Sequence, residues 1–306
     1  LTHGGYIKRL PVDTYRSQKR GGRGVTGMGT KEEDFVEHLF VATTHHNILF
    51  FTNRGRVYRL KGYEIPEASR TAKGTAIVNL LALENAEKVT AVIPIKEFSN
   101  RRYLFMATKN GTVKKTELME FDTPRRTGLI AIVLDEDDDL IDVKLTNGEM
   151  NVVLGTRQGM AITFKETDVR PMGRSTRGVR GILLDSDDDD IVVGMDTVKK
   201  DGELLTVTEE GYGKRTSIEE YRVQTRGGKG IINNKITDKT GQVVGIKVIR
   251  PGQEIMLITG EGIVIRFDAT EISLISRNTQ GVRLMRTDDK DKVVAMAAVE
   301  KKVDND

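Results

Sequence analysis

Apolar and polar positions fall into short, strand-sized runs along the whole chain. Ile48 to Phe51, Leu104 to Ala107 and Ile255 to Ile258 are continuous apolar runs bounded by turn residues, not by helix caps. No segment sustains a 3.6-residue period, so long helices are not expected. One turn signature recurs: a threonine, two residues, a glycine, then apolar and basic residues. It reads Thr2 to Gly5 followed by Tyr6, Ile7, Lys8 and Arg9, and returns at Thr52 to Gly55, Thr108 to Gly111, Thr156 to Gly159, Thr208 to Gly211 and Thr259 to Gly262. These glycines lie 50, 56, 48, 52 and 51 residues apart. Each sits where a hairpin needs a positive φ angle. Ten residues after each stands an apolar or aromatic side chain: Tyr15, Ile65, Phe121, Val169, Tyr221 and Ile272. A second glycine closes a loop in each unit, at Gly24, Gly74, Gly128, Gly178, Gly230 and Gly281. Another apolar stretch follows the loop, as in Val89 to Ile95 and Val243 to Ile249.

The pattern predicts an all-β protein of about four antiparallel strands per unit. A period near 50 residues is that of a propeller blade. The chain of 306 residues divides into six blades in one domain, approximately 1–50, 51–102, 103–150, 151–202, 203–253 and 254–306. The last apolar stretch, Val293 to Val299, completes either its own blade or the first. The chain opens inside its first hairpin without a methionine, which reads as a piece of a larger polypeptide.

Composition changes the picture in two ways. Cysteine is absent, which excludes disulfides, thiolate metal sites and a cysteine nucleophile. No apolar run approaches the ~20 residues of a membrane helix, so no membrane partner is expected. Charge is more informative by position than in total. The whole chain carries only +3. The segments from turn glycine to loop glycine carry +5, +3, +1, +2, +3 and 0 in order, so the remainder is strongly acidic. In a ring of equivalent units these basic segments form a stripe, an electrostatic track for a polyanion. Runs such as Asp135 to Asp139 and Asp187 to Asp190 read as solvated turns between blades.

The loop of the first unit is Gln18-Lys19-Arg20-Gly21-Gly22-Arg23-Gly24. Its glycines let backbone approach phosphate closely, and arginine can fork onto phosphate oxygens. Such a loop reads charge and shape, not bases. QKRGGRG matches the seven-residue GyrA box, so the chain resembles the family of C-terminal domains of DNA gyrase A subunits. The fifth unit has a near copy, Gln224-Thr225-Arg226-Gly227-Gly228-Lys229-Gly230, and other units keep remnants such as Arg70 with Lys73-Gly74 and Arg177-Gly178. The resemblance implies a six-bladed β-pinwheel that wraps double-stranded DNA with positive handedness around its basic rim and enables ATP-dependent negative supercoiling. It also implies two partners, the rest of the gyrase A subunit together with the gyrase B subunit, in an A2B2 enzyme of the bacterial cytoplasm and nucleoid. ATP and Mg belong to other parts of that enzyme; the domain itself is expected to be monomeric, non-catalytic and free of cofactor or metal. On this reading Lys19, Arg20 and Arg23 clamp the bend. Lys8, Arg9, Arg56, Arg59, Arg70, Lys73, Lys114, Lys115, Arg174, Arg177, Lys214, Arg215, Arg226 and Lys229 hold the DNA path. The sixth unit, with no net charge, is expected to touch DNA least.

Other signals weigh less. Gly22 to Gly27 spells GxGxxG, but no helical pattern follows it and His45-His46 stand where a dinucleotide site needs an acid. Adjacent strand histidines point to opposite faces, which disfavours a metal role. Two other readings of the fold remain: a topoisomerase IV domain, disfavoured by the complete box, and a propeller platform for protein partners. A propeller enzyme needs convergent acids or histidines, and the repeat offers none.

Overall fold

A computed structural model describes residues 1–2, 4–14, 25–26, 34, 36, 38–185, 189–288 and 290–300. Among them the strands follow the predicted units. The first contributes β1 (Tyr6–Ile7) and β2 (Val25–Thr26). The second has β3 (Asn47–Thr52), β4 (Arg56–Lys61), β5 (Thr75–Ala76) and β6 (Val89–Ile95), and the third β7 (Tyr103–Thr108), β8 (Thr112–Glu117), β9 (Leu129–Ile130) and β10 (Leu140–Thr146). The fourth holds β11 (Asn151–Thr156), β12 (Met160–Lys165), β13 (Val179–Arg180) and β14 (Val192–Thr197). The fifth has β15 (Glu203–Thr208), β16 (Tyr212–Ser217), β17 (Ile231–Ile232) and β18 (Val243–Ile249). The sixth has β19 (Gln253–Thr259), β20 (Ile263–Asp268), β21 (Val282–Arg283) and β22 (Val293–Glu300). Short 3-10 turns follow β4, β8, β12, β16 and β20, and no α-helix occurs among the described residues.

The sheets do not follow the units one for one. Five are four-stranded, with orders β6-β3-β4-β9, β10-β7-β8-β13, β14-β11-β12-β17, β18-β15-β16-β21 and β22-β19-β20-β2. In each, the outermost strand is a two-residue segment lent by the next unit, and β2 of the first unit closes the ring onto the sixth. Among the described residues the first unit's sheet consists of β1 paired to β5, plus a Thr2–Val36 bridge. The expectation of six four-stranded blades is thus corrected to five four-stranded sheets and one two-stranded sheet among the described residues. The alternative left open for the last strand is decided: β22 pairs with β19 of its own unit.

The repeat signature now has causes. The threonine hydroxyl accepts the N–H four residues on, as in Thr112 N to Thr108 Oγ1 at 3.1 Å and Met160 N to Thr156 Oγ1 at 3.1 Å. Gly159 has φ +84°, and a Cβ there would stand 2.3 Å from the carbonyl of Asn234 in the next unit. Gly230 has φ +78°, and its Cβ would meet the Ala161 carbonyl at 2.2 Å. Both kinds of glycine therefore mark seats where neighbouring units touch backbone to backbone. The residues ten after the turn glycine, Ile65, Phe121, Val169, Tyr221 and Ile272, are all buried. The core lies between sheets: Phe51 meets Phe121 of the next unit edge to face at 6.2 Å, and Phe105 lies 6.2 Å from Phe164. The acidic loops lie beside the turns and cap them, with Asp138, Asp190 and Asp291 accepting the N–H of Asn110, Gln158 and Glu261.

Gly230→Ala is expected to lower unfolding free energy by at least about 2 kcal/mol, from strain and clash together. Gly252→Ala has a similar φ of +87° but nothing within 4 Å, so it is expected to cost about 1 kcal/mol. Urea unfolding of the two variants measures the difference.

Candidate nucleic-acid interface

The strands β6, β10, β14, β18 and β22 pack against one another in chain order at the centre of the ring. The exchanged strands lie at the opposite edge of each sheet, on the perimeter. The loop that precedes each exchanged strand is therefore an outer loop, and the basic segments end there. Exposed cations on these loops and strands run from unit to unit: Arg70, Arg125 and Arg126, Arg177 and Arg180, Arg222 and Lys229, and Arg283.

The residues singled out in the sequence divide into three groups. Gln18, Lys19, Arg20, Gly21, Gly22, Arg23 and Gly24 lie outside the described residues. Arg70, Arg177 and Lys229 are exposed on the perimeter, while Lys73 sits half-buried with its ammonium 3.7 Å from the centre of the Tyr6 ring. Arg177 pairs with Asp135 at 2.6 Å, an exposed contact of little net strength. Most of the third group connects one blade to the next. Arg9 donates to the Ile65 carbonyl at 3.1 Å, Arg59 to Thr123 at 2.9 Å, and Arg215 to Ile272 at 2.8 Å. Lys115 is buried and donates to the Glu166 carbonyl at 3.0 Å. Arg56 pairs with Glu84 within its own unit. Arg226, in the near copy of the box, reaches back to the carbonyls of Asp168 at 3.1 Å and Arg180 at 2.9 Å.

Lys114 and Lys214 are completely buried. Lys114 donates to the carbonyls of Ala131 at 2.7 Å, Arg174 at 2.6 Å and Thr176 at 3.2 Å. Lys214 donates to Asn233 at 2.7 Å, Ser276 at 3.0 Å and Thr279 at 3.2 Å, and to Arg277. Lys8 holds Ser69, Arg70 and Ala72 in the same way. Of the expected rim residues at positions three and four after the turn glycine, Lys114, Lys115 and Lys214 are buried, while Lys8, Arg9, Arg59 and Arg215 are half-buried and donate to carbonyls of the next unit. Counting charge per segment cannot separate these inward cations from outward ones. It counts Arg125, Arg126 and Arg222 without singling them out, and it leaves out Arg180 and Arg283, which follow the loop glycine.

The family model described as DNA gyrase C-terminal domain, beta-propeller, matches residues 1–43, 46–96, 102–147, 151–199, 202–250 and 253–300. The chain belongs to this family. It is 52% identical over 301 residues to the DNA gyrase A subunit of Clostridium acetobutylicum, covering 98% of this chain and 36% of that protein. It is 47% identical over 308 residues to the DNA gyrase A subunit of Staphylococcus epidermidis, covering 100% of this chain and 34% of that protein. The chain thus spans about a third of the length of these relatives. Among solved structures, one described as the structure of the DNA gyrase A C-terminal domain superposes with TM-score 0.89 at 27% identity, covering 97% of both chains. The C-terminal domain of DNA topoisomerase IV superposes with TM-score 0.76 at 26% identity, covering 98% of this chain and 92% of that one. The gyrase C-terminal domain family is all-β and propeller-like here too, and among the described residues no helix is long and apolar enough to cross a membrane.

Burial lowers the pKa of Lys114 and Lys214 to about 8; Glu120 and Glu220 oppose the shift, and Arg174 and Arg277 add to it. An unfolded lysine titrates near ~10.4. Between about 8 and ~10.4 the unfolded chain therefore holds more protons, and stability rises with pH. Tyr58 acts oppositely: burial and its hydrogen bond to Glu87 push it up to about 12, so stability falls once pH passes the ~10 of a free tyrosine. The melting temperature is expected to climb through the lysine window and then decline. Lys114→Met with Lys214→Met is expected to flatten the climb; an equal climb in that variant would contradict the assignment.

Proposed function

We propose that this chain is a DNA-holding module of DNA gyrase, with no chemical step of its own, that binds duplex DNA along its perimeter and keeps it bent. The observation that carries this reading is the succession of exposed arginines and lysines on outer loops and exchanged strands of consecutive units. These positions offer point charges and guanidinium forks to phosphates, with no set of side chains shaped to read base edges. A rigid ring holds such contacts on a curve. Bending a short duplex costs roughly 1–6 kcal/mol, which many distributed phosphate contacts offset.

The place of the module in the enzyme follows the family. We assign it to the gyrase A subunit, with the remainder of that polypeptide and the gyrase B subunit as partners in an A2B2 assembly in the bacterial cytoplasm and nucleoid. ATP and Mg act elsewhere in that assembly, where a DNA wrap of positive hand is turned into negative supercoils. The topoisomerase IV reading is second: its C-terminal domain shares the fold, but the complete box and the closer superposition favour gyrase.

If about ten phosphates are neutralised, the logarithm of DNA affinity is expected to fall with the logarithm of salt at a slope of roughly −9. Each of Arg70→Ala, Arg177→Ala and Lys229→Ala is expected to reduce that slope by about 0.9 and to act alike on unrelated sequences. Fluorescence anisotropy with two duplexes of different sequence measures both. A salt-independent affinity would favour a protein-binding platform instead.

A further inference from the structure

The perimeter loops come in two alternating kinds. In the second, fourth and sixth units they are Ser69–Gly74, Gly173–Gly178 and Ser276–Gly281, reading SRTAKG, GRSTRG and SRNTQG. All three place an arginine second and a glycine sixth. The residue three after the turn glycine alternates in step: Lys8, Tyr58, Lys114, Ile162, Lys214, Ile265. Each lysine belongs to an odd unit and reaches the arginine-bearing loop of the even unit that follows. Lys8, Lys114 and Lys214 donate to the backbone carbonyls of Arg70, Arg174 and Arg277 respectively.

A second grip acts on the same arginines. Six residues after Lys114 and Lys214 stand Glu120 and Glu220. Glu120 Oε2 accepts the backbone N–H of Arg174 at 3.1 Å, and Glu220 Oε2 accepts that of Arg277 at 3.1 Å. A lysine at the carbonyl and a glutamate at the N–H thus hold one residue from both sides. In the first unit the sixth position is Thr14, so Lys8 acts there without a carboxylate. The arginine side chains are set in turn, since Arg174 donates to Ile130 at 3.2 Å and Arg277 to Ile232 at 2.6 Å, both on exchanged strands. The threonine two further on closes each loop, Thr176 to Gly173 at 2.7 Å and Thr279 to Ser276 at 2.8 Å. The fifth-unit loop is tethered the other way, by its own Arg226 and by Gly227 N–H on the Gly181 carbonyl at 2.7 Å.

The geometry points to Lys114 with Glu120, and Lys214 with Glu220, as positioning pairs that fix the even perimeter loops so that their arginines meet DNA phosphates. This rests on the DNA-holding reading above. Each pair acts through the loop, not by touching DNA. Charge alone makes an opposite statement, because removing a carboxylate near a phosphate track tightens binding.

The test compares Glu120→Ala with Glu120→Gln in the full chain at neutral pH, with a labelled random-sequence duplex as probe. Both variants lose the same charge, but glutamine keeps an oxygen for the Arg174 N–H. Glu120→Ala is expected to bind about fivefold more weakly than Glu120→Gln, the size of one net hydrogen bond. The gap is expected to vanish in an Arg174→Ala, Arg177→Ala background. Equal affinities of the two variants, or a gap that persists without the arginines, would overturn the proposal. Lys114→Met is expected to weaken binding at temperatures where circular dichroism reports an intact sheet; unchanged affinity there counts against it. If Lys114→Met unfolds, the glutamate pair still decides. Absence of salt-dependent binding by the unsubstituted chain is a separate result: it removes the DNA-holding reading itself, and the positioning role with it.

Discussion

Everything on the perimeter depends on the exchange of one short strand between neighbours. The exchanged segments β5, β9, β13, β17, β21 and β2 are only two residues long. So short a strand is not stable alone, and it is held by the backbone seats on either side of it. The turn glycine carbonyl accepts from the chain just beyond the exchanged strand, as in Ala131 N to Gly55 O at 2.8 Å and Asn233 N to Gly159 O at 2.8 Å. The loop glycine at the other end lies against the preceding strand. Each outer loop is consequently anchored in the blade before it and grows out of its own. Successive loops cannot drift relative to one another, and the cations they carry keep a fixed spacing.

The same constraint explains why so many cations turn inward. Seams between blades expose carbonyl groups that no strand pairs, and buried acceptors need donors. Lysine and arginine supply several donors on long stems, so Arg9, Arg59, Lys115 and Arg215 tie one blade to the next. Arg266 does this across the ring closure, reaching the Val12 carbonyl at 3.3 Å while pairing with Glu254. Burying an ammonium as at Lys114 and Lys214 carries a desolvation penalty, which the ring of carbonyls offsets only in part. Basic character in the repeat therefore serves two ends: one set of cations joins blades, and another faces outward.

Much of the fold is legible in the sequence because its signals are local. The threonine and glycine of the turn, the apolar residue ten positions on and the apolar stretch after the loop are each read within a few residues and recur from unit to unit. Strand exchange is not legible. A two-residue segment such as Val179–Arg180 has no periodicity to read, and its partner β8 lies in another unit. That is why the pattern predicts six self-contained blades where sheets cross unit boundaries. The candidate interface is half legible: a segment total locates the basic belt, but only the side-chain direction at Lys114 or Arg177 tells a seam from a surface. The alternation of Lys8, Tyr58, Lys114, Ile162, Lys214 and Ile265 is present in the sequence, and its meaning needs the loop that each lysine reaches.

On the proposed reading, a curved belt of cations fixed to a ring of blades acts on DNA as a mandrel. Its hallmark is a change in DNA topology without any cleavage by the module. The decisive measurement is ligation of a nicked circular DNA in the presence of saturating chain, followed by removal of protein and electrophoresis that reports linking number. The account predicts positively supercoiled circles, in a yield that falls as the perimeter arginines are removed. Circles with the linking number of a protein-free ligation would contradict it, because cations that bind DNA without bending it into a handed path leave its topology unchanged.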